Sequence, residues 1–419
     1  MMKFIATDVT DSKDKMKAMV AEQLKKKGFA INPYFYRSHV TYQAELENIL
    51  FKSWLYAGHI SQIPNNGDYF LFELAEDSII ISRDQNGEVQ ALMNICRHRG
   101  ARVCEEHSGN RKTFVCPYHG WVFNTDGSLK MARAMEMKEG FDPKDYGLKK
   151  ARLEIFEGLI FVNTDPNAAD FKAPLEKLRV PLSAYDLPNA KIAHSHTYKI
   201  DANWKLAIEN YQECYHCATS HRQYAKLHSL KDLEEKSAPI NEAMHARSEA
   251  MTGLPGLTVD FYEACNYANG FGADVYHSRY ALYDDFKTGS RDGQPVAPLM
   301  GSFKGYDGGA GDFQMGPLCF MLNYPDHCVL YRFTPRGLTQ TDLEVVWFVK
   351  GDAVEGKDYD KDEVTYLWHH TTLEDEYIIT RNSEGVNSHF FEPGPYHPEF
   401  EEPCIEFIDW YLTTLHQSA

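Results

Sequence analysis

The sequence predicts an α+β chain, with a small all-β domain followed by a larger mixed domain. Three observations carry that expectation. The chain has 419 residues, too many for one ordinary core. Short β-rich runs separated by turn residues follow residue 45, and longer helical patterns mixed with strands fill the second half. Hydrophobic residues make up 43% and aromatic residues 13%, so apolar side chains suffice to fill more than one core.

Residues 12–27, SKDKMKAMVAEQLKKK, set Met16, Met19, Val20 and Leu24 at helical spacing, with Gly28 as a stop. Residues 42–54 read as a second helix, and 1–44 as an N-terminal helical arm. The runs YFLFEL, SIIISRD and VQALMN read as strands, and Asn86-Gly87 between the last two marks a hairpin. β character continues to GLIFVN, which gives an all-β domain over 45–165. Asp165-Pro166 opens a boundary stretch, and 166–419 forms the second domain. A helix is expected over 204–218. Residues 251–315, rich in Gly, Tyr and Asp, read as long loops, which are often functional. The strands CVLYRFTP and LEVVWFVKG follow, then a long helix over 361–381 and an amphipathic helix in IEFIDWYLTTL.

The formal net charge of −17 argues against nucleic acid or an anionic membrane as the main partner. No run of about 18 uncharged apolar residues occurs, so no transmembrane helix is expected. The N-terminus shows no apolar signal region. The nine cysteines therefore read as reduced thiols and metal ligands, and the expected location is cytoplasmic.

Two constellations carry chemistry. The stretch ICRHRGARVCEEHSGNRKTFVCPYHG holds Cys96 and His98 in one loop and Cys116 and His119 in a second. A structural zinc finger pairs cysteines on a turn and histidines on a helix. Here each loop carries one of each between strands, which suits a binuclear cluster, two sulfurs on one iron and two imidazoles on the other. A structural zinc site is the plainer alternative. Cys104 and His107 lie between the pairs but off ligand spacing.

The second constellation spans two expected helices. In WKLAIENYQECYHCATSH, Glu209, Glu213 and His216 recur at i, i+4 and i+7, and His221 follows five residues after His216. That last spacing requires the helix to end or bulge near Cys217–Ser220. On the 361–381 helix, Asp375 shares the buried stripe of Val364, Leu367, Trp368, Thr371 and Ile378, whereas Glu374 and Glu376 fall away from it. A buried carboxylate needs a partner. His216, His221 and Asp375 would form a two-histidine, one-carboxylate set that leaves positions open for O2 on a non-haem iron(II). A solvated histidine pair and a salt-bridged aspartate are the plainer alternatives.

Taken together, CRHRG…CPYHGW and NWKLAIENYQECYHCATSH resemble the motifs of Rieske non-haem iron oxygenases, catalytic α subunits. The resemblance runs from about residue 40 to the C-terminus. It implies an all-β Rieske domain and a helix-grip (START-like) catalytic domain with a curved antiparallel sheet. It also implies a homotrimer in which one subunit's cluster serves the next subunit's iron. By this resemblance Cys96, His98, Cys116 and His119 hold a [2Fe-2S] cluster, and His216, His221 and Asp375 hold mononuclear Fe(II). Glu213 would bridge the two centres by reaching His119 of a neighbouring subunit. Ring-dihydroxylating members generally place Asp at that position, and members acting on betaines and carnitine can place Glu. The spacing between Asn210 and Glu213 is also one residue shorter than in naphthalene-type enzymes. The C-terminal third looks most like the branch that demethylates glycine betaine and proline betaine (stachydrine).

The resemblance further implies O2 as cosubstrate and electrons from NAD(P)H through a separate flavin/iron–sulfur reductase or ferredoxin. The expected activity is N-demethylation of a small quaternary ammonium compound, whose cation would need an aromatic cage. Phe261, Tyr262, Tyr267, Phe271, Tyr276, Tyr280, Tyr283 and Phe286 are candidates for it, although most are expected to be packing residues. An aromatic ring hydroxylase or dioxygenase, and a non-enzymatic Rieske electron carrier, are the competing expectations.

Overall fold

The computed structural model describes residues 11–258, 275–283 and 285–418. No helix among the described residues is long and apolar enough to cross a membrane.

The first domain is built from β1 (Leu55–His59), β2 (Asp68–Leu74), β3 (Asp77–Arg83), β4 (Val89–Met93), β5 (Ser108–Asn110), β6 (Thr113–Val115), β7 (Val122–Asn124), β8 (Leu129–Met131), β9 (Arg152–Phe156) and β10 (Leu159–Asn163). They pair as β4-β3-β2-β5, β6-β7-β8 and β1-β10-β9, all antiparallel. The expected hairpin joins β3 to β4: Gly87 takes φ 89°, and the Asp84 carboxylate accepts from the Asn86 N–H at 2.8 Å. Ile80, Leu92, Phe114, Trp121 and Phe123 share a core with Cys96 and Cys116, so both cysteine loops spring from packed strands.

The second domain holds β11 (Ala190–Ile200), β12 (Val275–Ala281), β13 (Gly309–Met315), β14 (Cys319–Asn323), β15 (Cys328–Gly337) and β16 (Gln340–Lys350). They form one antiparallel sheet in the order β11-β16-β15-β14-β13-β12. Both faces are covered. Phe320, Tyr331, Phe333, Val345 and Trp347 pack with Trp204, Ile208, Leu367 and Trp368 of two helices. Met321, Leu330, Val346 and Phe348 turn to a second core with Leu175, Leu178 and Leu182. Burial on both faces explains why LEVVWFVKG is apolar almost without alternation.

The stretch 251–315 departs from the loop expectation. It begins in the helix Glu234–Thr252 and includes β12 and β13. Those strands read VYHSRYA and GAGDFQM, with polar residues at inward positions, which hides the period-two apolar signal. The long helix runs Lys361–Val386 from a cap at Asp360, and Ile379 is buried in place of Ile378.

The N-terminal helix Lys13–Gln23 packs on the C-terminal helix Glu402–Ser418. Beneath them, Lys205 meets Glu45 at 2.6 Å with both side chains fully buried. The Trp204 indole N–H and the Tyr411 hydroxyl also donate to Glu45, at 2.8 and 2.6 Å. Such a pair is tolerable in the interior because the remaining lone pairs are satisfied. The network ties both ends of the chain to the helix Trp204–Gln212 that leads into the site.

Glu209 points to this side of the helix, away from the metal site, and accepts from the Tyr36 hydroxyl at 2.9 Å. Burial pushes its carboxyl up, against the pull of Tyr36 and Lys205, to about 7. Between the ordinary 4.5 and 7 the folded state binds more protons than the unfolded one, so stability falls as pH rises through that window. Glu209→Gln is expected to remove this loss. Relative to wild type, the variant gains up to about 3 kcal/mol on going from about pH 5 to about pH 8 in denaturation curves. An unchanged pH dependence would show that Glu209 does not carry the effect.

Candidate metal centres

The two cysteine loops close in the same way. Cys96 N–H donates to the Ala101 carbonyl at 2.9 Å and Gly100 N–H donates back to Cys96 at 2.9 Å. Cys116 N–H donates to Trp121 at 2.8 Å and Gly120 N–H to Cys116 at 3.1 Å. Gly100 and Gly120 take φ 77° and 70°, a left-handed turn that favours glycine. Both thiols are buried, whereas both imidazoles are exposed, with their Nδ1 atoms 3.2 Å apart. His98 stacks on Trp121 at 5.0 Å, which fixes its ring. The four donors form no group compact enough for one ion, in contrast to the triad below. Two sulfurs inside and two imidazoles outside fit a cluster of two irons better than one tetrahedral zinc.

The structure brings His216, His221 and Asp375 together. Their facing atoms form a triangle: His216 Nε2 to His221 Nε2 is 3.0 Å, and Asp375 Oδ1 lies 2.9 Å from His221 Nε2 and 3.4 Å from His216 Nε2. Neighbouring ligands about 2.1 Å from one octahedral ion stand about 3.0 Å apart, so the triangle fits three ligands on one face of an ion. Asp375 Oδ1 is buried and accepts no hydrogen bond, which is costly unless a cation satisfies it.

The outer nitrogens are also engaged. His216 Nδ1 meets Glu213 Oε1 at 2.5 Å and His221 Nδ1 meets Glu374 Oε2 at 2.9 Å. Each carboxylate accepts from Nδ1–H and so leaves the Nε2 lone pair facing the triangle. Without a metal ion, burial opposes charge on His216, but Asp375 and Glu213 prevail and hold the imidazole up at about 9, so a bound ion would take the place of the proton on Nε2. The same histidines hold the Asp375 carboxyl below its usual range, against the effect of burial.

Three expectations need correction here. The helix does not run through 204–218: it ends at Gln212, and Glu213 is extended at φ −126°, ψ 153°. Glu213 therefore does not share a helical face with Glu209. Its carboxylate instead accepts from the N–H groups of Tyr215 and His216, in the turn that precedes the short helix Cys217–Ser220. Glu374 does not fall away from the site, because its long side chain reaches back to His221. Nor are all the cysteines reduced thiols, since Cys214 and Cys217 are joined by a disulfide across this turn. Glu374→Ala is accordingly expected to weaken Fe(II) retention by about 10- to 100-fold and leave the cluster absorbance unchanged. Iron content after dialysis reads this, and full retention would contradict the assignment.

A cavity of about 400 Å³ opens beside the triangle. Rings of Tyr211, Tyr224, Tyr280, Phe320, Tyr331 and Trp368 wall it. Of the eight aromatic candidates, Tyr276 and Tyr280 line it. Tyr283 instead bonds Asp232 and Lys231, and Phe286 packs at the core edge. Phe261, Tyr262, Tyr267 and Phe271 lie outside the described residues.

A cluster-bearing β domain joined to an iron-binding domain with a substrate cavity defines an oxidoreductase that uses O2. The chain belongs to the Rieske-type ring-hydroxylating oxygenase α subunits: residues 53–149 match the Rieske [2Fe-2S] domain and residues 187–417 the ring hydroxylating alpha subunit (catalytic domain). Its cofactors are a [2Fe-2S] cluster and mononuclear non-haem iron, with O2 as cosubstrate and NAD(P)H acting through a separate reductase. It is 34% identical to the glycine betaine monooxygenase oxygenase subunit of Pseudomonas aeruginosa, over 91% of this chain and 88% of that one. The quaternary ammonium Rieske monooxygenase CntA in complex with L-carnitine superposes with a TM-score of 0.70 at 20% identity, over 96% of this chain and 99% of that one. Naphthalene 1,2-dioxygenase from Rhodococcus sp. superposes at 0.67 and 21% identity, over 97% and 99%. At these identities the two superpositions speak for the fold alone.

Proposed function

We propose that the chain is the terminal oxygenase component of a system that N-demethylates a small quaternary ammonium compound of the betaine type. The cavity carries this reading. Electron-rich ring faces line it, and its carboxylates outnumber its one guanidinium, Arg279, whose head is held by Asp307 and Tyr185, so it suits a cation. The long-coverage relatives are glycine betaine monooxygenase subunits, which supports the same choice over a ring dioxygenase.

In this reading Cys96, His98, Cys116 and His119 hold the cluster, and His216, His221 and Asp375 hold the iron. Iron(II) there, supplied with electrons from the cluster, activates O2 to hydroxylate a C–H bond. The protein's own residues set the conditions. Glu213 and Glu374 fix the tautomers of the two histidines, the aromatic walls exclude water, and the cavity presents an N-methyl group to the open side of the triangle. The hydroxymethylammonium product loses its hydroxyl proton and its C–N bond, leaving a tertiary amine and formaldehyde. Glu213 is also the bridge to His119 of a neighbouring subunit in a homotrimer, a role for which the exposed position of His119 leaves room. The reading keeps the division 1–44, 45–165 and 166–419, a flavin/iron–sulfur reductase or ferredoxin as partner, and a cytoplasmic location.

A screen of betaines and aromatic acids with reductase, NAD(P)H and O2 tests the proposal. Formaldehyde with a betaine is the expected result. A cis-diol or phenol from an aromatic acid, without formaldehyde from any betaine, would favour the ring hydroxylase.

A further inference from the structure

One wall of the cavity carries a carboxylate that has no cation beside it among the described residues. Asp312 on β13 pairs with Ser278 on β12 and Leu322 on β14. Cross-strand partners share a face, and Ser278 and Leu322 both line the cavity. Arg279, the next residue along β12, also borders the cavity, but its guanidinium is engaged by Asp307 and the Tyr185 hydroxyl. Asp312 accepts from the Phe313 N–H and, among the described residues, has no lysine or arginine partner. Asp312 is half-buried on the cavity wall. Among the described residues, the titratable groups facing it are the phenols of Tyr211, Tyr224, Tyr280 and Tyr324, none of them a cation. Burial pushes its carboxyl up to about 7. A carboxylate in such a place is costly until a proton or a cation joins it.

We infer that Asp312 is the counter-ion for the cationic nitrogen of the substrate and selects a charged ligand over a neutral one of the same shape. The inference rests on the quaternary ammonium reading above. The rings alone attract a cation weakly and accept neutral methyl groups almost as well, because both bury apolar surface. A facing carboxylate in a dry cavity separates the two. Asp312 and Asp375 both act on the Tyr224 phenol, so the counter-ion and the metal triangle border the same part of the cavity. A nitrogen held by Asp312 therefore keeps its methyl groups in the neighbourhood of the iron.

The inference also fixes a pH dependence. A proton on Asp312 competes with the cation, so binding of the cation weakens as pH falls through the neutral range and displaces a proton as it occurs.

The test compares glycine betaine with 3,3-dimethylbutanoate, in which carbon replaces the nitrogen, by calorimetric titration of the intact holoprotein. Wild type is expected to bind the betaine at least about tenfold more tightly above neutral pH and to lose this preference in acid. Asp312→Asn should bind the carbon analogue as wild type does, which shows the cavity intact, and bind the betaine no better than the analogue at any pH. A variant that keeps the wild-type preference, or that loses both ligands equally, overturns the assignment of Asp312. A wild type with no preference for the cation overturns the quaternary ammonium reading itself.

Discussion

Asp375→Ala is expected to abolish turnover, by on the order of a thousandfold or more, and to leave the [2Fe-2S] absorbance intact. The reason is geometric. The three donor atoms stand 2.9–3.4 Å apart, and Asp375 supplies the only negative charge among them. Without it two neutral imidazoles remain, which bind iron(II) too weakly to keep it through purification. Iron content should therefore fall by one per chain while the two irons of the cluster stay. Asp375→Glu should not restore activity, since a longer side chain on the same helix moves the oxygen off the triangle. Retention of all the iron by Asp375→Ala would mean that the triangle is not the mononuclear site.

Glu213→Gln is the second large effect, and its signature differs. The Glu213 carboxylate meets His216 Nδ1 at 2.5 Å and also accepts from the backbone N–H groups of Tyr215 and His216. A glutamine can preserve the backbone bonds or one imidazole bond, but it cannot accept on both oxygens. The variant should keep its oligomeric state, its cluster and most of its iron, yet lose turnover by on the order of a hundredfold. In single-turnover mixing with substrate and O2, the reduced cluster should reoxidise correspondingly slowly. Reoxidation at the wild-type rate would remove Glu213 from the electron path and leave it as a turn-stabilising and orienting group for His216.

Much of this site is legible in the sequence because its spacing is local. Cys96, His98, Cys116 and His119 sit in two short loops whose flanking strands are themselves recognisable. Asp375 emerges from the stripe on its helix, although Ile379, not Ile378, completes the buried side. What escaped depends on where a helix stops or on contacts between distant strands. Nothing local marks Gln212 as the last helical residue, so helical spacing puts Glu213 on a face it does not share and leaves the neighbouring Cys214 and Cys217 as separate thiols. Glu374 stands at the exposed edge of its helix and reaches His221 only because glutamate is long. The demand of His221 for an acceptor at Nδ1 was the one signal that could have found it. Asp312 lies on a strand whose polar residues face the cavity, so the feature that makes β13 functional also hid it as a strand.

The most direct measurement uses a betaine whose three N-methyl groups carry deuterium, mixed in single turnover with reduced protein and O2 and analysed by mass spectrometry. Formaldehyde with two deuteriums is expected, in equal amount to a product that has lost one labelled methyl group. A product that keeps all three labelled methyl groups and carries the new oxygen elsewhere would contradict N-demethylation at this iron.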